Sequence, residues 1–204
     1  MNVESINRKV KNHSPSILGL SDFAKFAVFL PLIQKEDGLH ILFEIRSHRL
    51  RRQPGEICFP GGRIDKEDKT DQMAAIRETQ EELGILREQI SDVSPLDYFV
   101  SPFGMIIYPH VGFIEDDHLI DPNPDEVAEV FTVPLSFFLN TKPRIHYVNA
   151  RIEPEADFPF ELIAGGEDYN WRTNKIDEYF YIYEDKVIWG LTAKILAHFI
   201  EMIR

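Results

Sequence analysis

Between Arg77 and Gly84 the chain reads RETQEELG, and at 100° per helical residue three of its carboxylates, Glu78, Glu81 and Glu82, fall within one sector. Glu78 and Glu82 stand four residues apart, a like-charge pair that mildly destabilises a helix and that a hard divalent cation with oxygen ligands relieves. Mg²⁺ suits such a set, against the alternative of a solvated helix face. A second concentration of charge, RSHRLRR at 46–52, holds four arginines in seven positions. Guanidinium groups bind phosphate bidentately, so Arg46, Arg49 and Arg51 are candidates for phosphate contacts, although strand alternation sends them to different faces. Further along, PDEVAEV places Glu126 and Glu129 near a loop-to-strand junction, where either could serve as an additional base.

These side chains need elements to hold them. Thr70 or Asp71 as N-cap, the pattern MAAIRETQEEL and Gly84 as C-terminal cap predict a helix over about 71–83. Ile76, Thr79 and Leu83 lie opposite the glutamates, so this helix is expected to pack through that stripe and turn its acidic face outward, towards a cleft or solvent. Lys25 to Ile33 and Leu39 to Arg46 read as two strands joined at Asp37-Gly38, a strong hairpin signal. Ile57-Cys58-Phe59 then runs into Pro60-Gly61-Gly62, where consecutive glycines permit close approaches that a Cβ forbids. Further strands are expected at Leu96 to Val100, Met105 to Glu115, Val127 to Val133, around Tyr147 and at Glu178 to Tyr183. Short helices are expected at 3–11 and after Pro134, with a closing amphipathic helix from Gly190 to Arg204.

Composition bounds the answer. With 204 residues, 44% of them hydrophobic, the chain fits one α/β domain spanning 1–204 and is too apolar for disorder. The longest apolar stretch, Phe26 to Ile33, is far short of the roughly 20 residues of a membrane span. A net charge of −12 disfavours nucleic acid and anionic membranes as partners. Cys58 is the single cysteine, which rules out an internal disulfide or a cysteine-based metal site and fits a cytoplasmic location, as does an N-terminus without a signal-peptide pattern. No phosphate-loop, zinc-protease or serine-hydrolase motif is present.

Gly62, the acidic Asp65 and Asp68, and the REXXEEXG string through Gly84 together resemble the Nudix box, the loop-helix-loop signature of a superfamily of diphosphate hydrolases. The family pattern is G, five residues, E, seven residues, then REUXEEXGU. Here Asp68 stands at the first Glu, Thr79 replaces an aliphatic residue, and eight residues separate Asp68 from Arg77. The segment LFEIRSHRLRRQPGEICFPGG, 42–62, is similar to the signature of the coenzyme A pyrophosphatase subgroup, which Arg46-Ser47, Arg51, Gly55 and Phe59-Pro60-Gly61-Gly62 match; VIWGLTAKILAHF, 187–199, looks like that subgroup's C-terminal helix.

The resemblance implies a Nudix-type α/β/α sandwich with a central mixed sheet. It also implies Mg²⁺ or Mn²⁺ on Glu78 and Glu82 with Glu81 completing or adjoining the cluster, Arg77 holding a glutamate, and Arg46, Arg51, Gly61 and Gly62 at the substrate. The implied reaction is hydrolysis of coenzyme A or acyl-coenzyme A to 3′,5′-ADP and (acyl-)4′-phosphopantetheine. ADP-ribose or another nucleoside diphosphate derivative is the alternative substrate, and a non-catalytic nucleotide-sensing module the alternative class. The sequence leaves pairing into a homodimer open.

Overall fold

The computed structural model describes residues 2–115 and 117–204, with the backbone alone for Asp117. Asn2 caps a first helix, α1 (Val3–Lys11), by accepting from the Ser5 amide at 3.0 Å, and none of that helix is buried. The chain then enters the sheet through β1 (Ala24–Lys35) and β2 (Gly38–Arg46), an antiparallel hairpin in which Gly38 takes a φ of +128° open to glycine. β1 is buried on both faces. Ala27, Phe29 and Ile33 enter one core and Leu30 and Leu32 the other, as two-residue alternation dictates.

Four short strands follow around the helix α2 (Asp71–Leu83): β3 (Ile57–Cys58) and β4 (Gly61–Arg63) before it, β5 (Ile90–Pro95) and β6 (Phe99–Ser101) after it. β7 (Met105–Ile114) and β8 (Val127–Pro134) complete an eight-stranded sheet whose central path is β3-β2-β1-β7-β5. β7 runs parallel to β1 while β2 and β4 run antiparallel to it, so the sheet is mixed. After α3 (Leu135–Asn140), a second, three-stranded antiparallel sheet forms from β9 (Arg144–Ala150), β10 (Asn174–Tyr183) and β11 (Lys186–Trp189), and α4 (Gly190–Met202) closes the chain.

Helices cover both faces of the large sheet. On one side Ala74, Ala75, Ile76 and Leu83 of α2 pack on Ala27, Phe29, Ile33 and Leu42. On the other, Leu196, Phe199 and Ile200 of α4 pack with Phe138, Tyr181 and Ile188 against Leu30, Ile41 and Phe43. Phe43 is the centre of this second core, with the rings of Phe59, Phe131 and Phe138 at 5.0, 5.6 and 6.0 Å from it. Burying each such ring contributes about 1.5–3 kcal/mol. The α/β/α sandwich expected from the sequence is therefore the observed architecture.

Three local expectations fail. The strand placed at Leu96–Val100 exists only as Phe99–Ser101, and the preceding strand, Ile90–Pro95, is rich in serine and aspartate and bulged between Ser91 and Ser94, with Asp92 at φ +49°; its pattern is not that of a regular strand. β4 is a strand in spite of its two glycines, because β1 supplies its pairing. The last helix stops at Met202, two residues early.

The ends of α2 are fixed by local chemistry. Thr70 Oγ1 accepts from the Met73 amide at 3.1 Å, and Gly84, at φ +66°, donates its amide to the Gln80 carbonyl. A Cβ on Gly84 would fall on the Asp121 carbonyl oxygen. Thr70→Ala is expected to lower stability by about 1 kcal/mol in urea denaturation. Gly84→Ala should cost more, because the left-handed backbone adds about 1–2 kcal/mol to that collision.

Candidate active site

The two glycines of β4 let it lie close between β1 and α2. Gly61 lies opposite Val28 and Gly62 opposite Ala27, and a Cβ on Gly61 would run into the Ala27 carbonyl and the Val28 Cα. A Cβ on Gly62 would occupy the place of the Glu78 carboxylate. Pressed this close, the Gly61 amide donates to Glu82 Oε2 at 2.7 Å. Glu82 is consequently buried, which corrects the expectation that the whole acidic face turns outward. An amide from a strand 21 residues away draws that carboxylate inward, and Glu78 follows into half-burial, whereas Glu81 stays 55% exposed.

Arg77 ties the acidic loop to the helix. Its Nε and Nη2 donate to Asp68 Oδ1 and Oδ2 at 3.2 and 2.9 Å, a bidentate pair, and Nη2 also donates to the Arg63 carbonyl at 3.2 Å. Nη1 meets Glu78 Oε1 at 2.9 Å and Glu81 Oε2 at 3.3 Å. The hydrogen bonds from Arg77 hold the Asp68 carboxyl below the usual carboxylate range, and those same bonds to Asp68 keep Arg77 more firmly charged. Arg77 thus orients two glutamates while its own fork is filled by protein groups.

A carboxylate from the sheet joins them. Glu44, in the middle of β2 and fully buried, lies opposite Cys58, whose Sγ donates to Glu44 Oε1 at 3.2 Å. Burial pushes Glu44 up to about 7 and Glu82 up to about 9, with the Glu44 charge adding to the rise at Glu82 and Arg46 opposing both. Burial likewise raises Glu78, against the pull of Arg77, and raises the Cys58 thiol, which the Glu44 charge pushes further. The half-buried Glu126 acts on both Glu44 and Glu78 and so belongs to this acidic neighbourhood.

A NUDIX domain model matches residues 25–154, which take in β1 to β8, the glycine turn and α2. The chain belongs to the Nudix family. NudL, a Nudix hydrolase of Photorhabdus laumondii, is 32% identical over 200 residues, covering 98% of this chain and 96% of that protein. The peroxisomal coenzyme A diphosphatase NUDT7 of Mus musculus is 41% identical over 134 residues, 66% of this chain and 56% of the mouse protein. Nudix hydrolase 15 of Arabidopsis thaliana, mitochondrial, is 32% identical over 177 residues, 83% of this chain and 55% of its own length. The chain thus spans a little over half of the mouse and Arabidopsis proteins. In fold it is similar to a MutT/nudix family protein from Enterococcus faecalis, with a TM-score of 0.53 at 16% identity over 100% of this chain and 70% of that one.

Within this Nudix domain the candidate residues fall into two groups. Glu78, Glu82, Arg77, Gly61, Gly62, Arg46 and Glu126 come together around the β4–α2 contact, with Arg46 half-buried at the end of β2 and its Nε lacking a hydrogen-bond partner. Glu81 is tied to the group through Arg77. Arg51 is exposed in the loop between β2 and β3, and Arg49 pairs with Asp125 at 3.0 Å on the surface. Glu129 lies opposite Ile45, hence on the other face of β2 from Glu44, and pairs with Lys186 at 2.8 Å; that register corrects its candidacy as a base. Glu44 escaped the sequence reading. Its signal is a charge at an inward position of the apolar run HILFEI, on the face shared with Leu42.

Among the described residues no three acidic, histidine or cysteine side chains converge closely enough to cage a metal ion. The donors nevertheless suit Mg²⁺ or Mn²⁺: they are hard carboxylate oxygens, buried near one another with Arg46 as counter-charge, and Mg²⁺ characteristically uses one or two carboxylates and completes its shell with water and substrate phosphate. Glu78 and Glu82 could hold such an ion.

Two expectations follow from this geometry. Gly61→Ala must displace backbone and should cost about 1–3 kcal/mol. Gly62→Ala meets only the movable end of Glu78, so it should cost less in urea denaturation while displacing that carboxylate. In the metal-free protein Glu82 holds its proton more tightly folded than unfolded, so stability should fall as pH rises from near the ordinary glutamate value of about 4.3 towards about 9. Glu82→Gln should flatten the part of that fall between about pH 6 and 9, measured by unfolding with chelator present.

Proposed function

We propose that this Nudix hydrolase cleaves the diphosphate of coenzyme A or an acyl-coenzyme A, with Mg²⁺ or Mn²⁺, to 3′,5′-ADP and (acyl-)4′-phosphopantetheine. The observation that carries the reading is the placement of Arg46: it ends β2 beside the buried glutamates, half-buried and with Nε unpartnered, where a phosphate oxygen can receive it. The 41% identity to a mouse protein named as a coenzyme A diphosphatase supports the same substrate.

In the reaction a water oxygen forms a bond to one phosphorus, the bridging P–O bond breaks, and two phosphate monoesters leave, the two protons of the water being carried by the monoesters or released. A bound divalent cation supplies neutralisation of the diphosphate charge and activation of water. The remaining work falls to the chain. Glu78 and Glu82 fix the cation's position, Glu82 being oriented by the Gly61 amide and Glu78 by Arg77. Arg46 holds a phosphate oxygen bidentately, and Arg51, on the adjoining loop, is free to close over the 3′-phosphate. Glu126, beside Glu78, accepts the proton lost by water. The leaving phosphate needs little protonation because it is already a stable anion.

Purified protein incubated with coenzyme A, ADP-ribose or NADH, with Mg²⁺, Mn²⁺ or chelator, should release 3′,5′-ADP from coenzyme A in preference and only with metal, read by chromatography and mass. Glu82→Gln should lower that rate by more than about 100-fold, beyond what removing a group that merely supports a metal ligand costs. Preference for ADP-ribose would overturn the substrate while keeping the metal site. Tight nucleotide binding without any product would overturn the enzyme.

A further inference from the structure

Glu44 stands apart from the other acids of the site because one oxygen of its carboxyl is buried and bonded to nothing. It is completely buried in β2; its Oε1 receives the Cys58 thiol, but Oε2 has no hydrogen-bond partner. A buried carboxylate oxygen left this way costs the full loss of its hydration, so in a native site it points to a missing partner. Arg46, two residues along the same strand and so on the same face, carries the opposite charge, yet its Nε is also buried and without a partner. Two opposite charges side by side that fail to satisfy each other are arranged for a cation and an anion arriving together.

The backbone brings Glu44 and Glu82 to one segment. Glu44 is held to Cys58, and Glu82 is held to Gly61 three residues later on the same segment, by bonds of 3.2 and 2.7 Å. The two carboxylates therefore approach the Cys58–Gly61 turn from opposite sides, one from the sheet and one from the helix. We infer that Glu44 is a further ligand of the divalent cation, contributing its free Oε2 from the sheet opposite Glu82, while Arg46 takes the phosphate bound to the same ion. This rests on the metal-dependent reading given above and adds to it a residue outside the loop-helix-loop signature.

The test is Mn²⁺ binding to metal-free protein without substrate, read by the electron paramagnetic resonance signal of free Mn²⁺, for wild type, Glu44→Gln and Glu82→Gln, with circular dichroism as the check on folding. Glu44→Gln should weaken Mn²⁺ binding at least tenfold, as Glu82→Gln does. Wild-type or tighter binding by Glu44→Gln, with Glu82→Gln still weakened, would overturn the role of Glu44 and leave a carboxylic acid that keeps its proton or bonds a water. If wild type itself binds no Mn²⁺, the metal reading falls and the inference with it. Should the Gln variant not fold, Glu44→Thr, a good strand former without a carboxyl, is subject to the same two outcomes.

Discussion

Two carboxylates from one turn of α2 are pressed against two residues of β4 that have no side chains, and much of the surrounding structure keeps that contact in place. Burying like charges costs several kcal/mol per ion unless each finds a partner. Gly61 gives Glu82 an amide, and Arg77 gives Glu78 a guanidinium. The approach itself is set by the apolar side of the helix, where Ala74 and Ala75 are small enough to bring α2 down onto Ala27 and Phe29. At the far end, the Asp121 and Asn123 amides bond the carbonyls of Leu83 and Glu82, so the turn that carries Glu82 is held by its backbone as well as its side chain.

The loop before the helix shows how a departure from a family pattern is absorbed. Asp68 is one methylene shorter than the glutamate of the pattern, and one extra residue separates it from Arg77. Its carboxylate nonetheless meets Arg77 bidentately, because the loop folds back on itself: the Asp68 amide bonds the Asp65 carbonyl at 3.2 Å and the Asp65 amide bonds Asp68 Oδ2 at 2.9 Å. The extra residue lies after that turn, between Asp68 and Arg77, and the spacing from Arg77 through Glu78, Glu81 and Glu82 to Gly84 is that of the family pattern.

What the sequence reveals depends on how local the cause is. The β1–β2 hairpin and the limits of α2 are legible because Asp37-Gly38, Thr70 and Gly84 act within a few residues of themselves. The inward turn of Glu82 is not, since a helical wheel gives angles but cannot know that an amide arrives from β4. Glu126 and Glu129 look equivalent in PDEVAEV, and only the register of β8 against β2 sends Glu129 to the wrong face. Glu44 is the extreme case: its inward position shows in the run HILFEI, but its polar environment is made by Cys58 across the strand pair and Glu82 from the helix, so its unpaired oxygen cannot be read from its neighbours in the chain.

The charge balance also bears on the order in which a diphosphate can enter. The chain carries a net charge of −12, and the immediate site sets Glu44, Glu78, Glu82 and Glu126 against Arg46 and Arg77. A bare diphosphate approaching this group meets repulsion at long range from the whole surface and at short range from the carboxylates. Raised proton affinity at Glu44 and Glu82 relieves part of the short-range term, but a protonated carboxyl is a poor cation ligand, so metal binding must release those protons. On the metal-dependent reading the cation therefore binds first or arrives on the diphosphate, and the same event that ionises the carboxylates turns an anion-repelling pocket into one that accepts phosphate. Arg46 alone could not reverse that sign, which is why the acids and the arginine are intelligible only as one site.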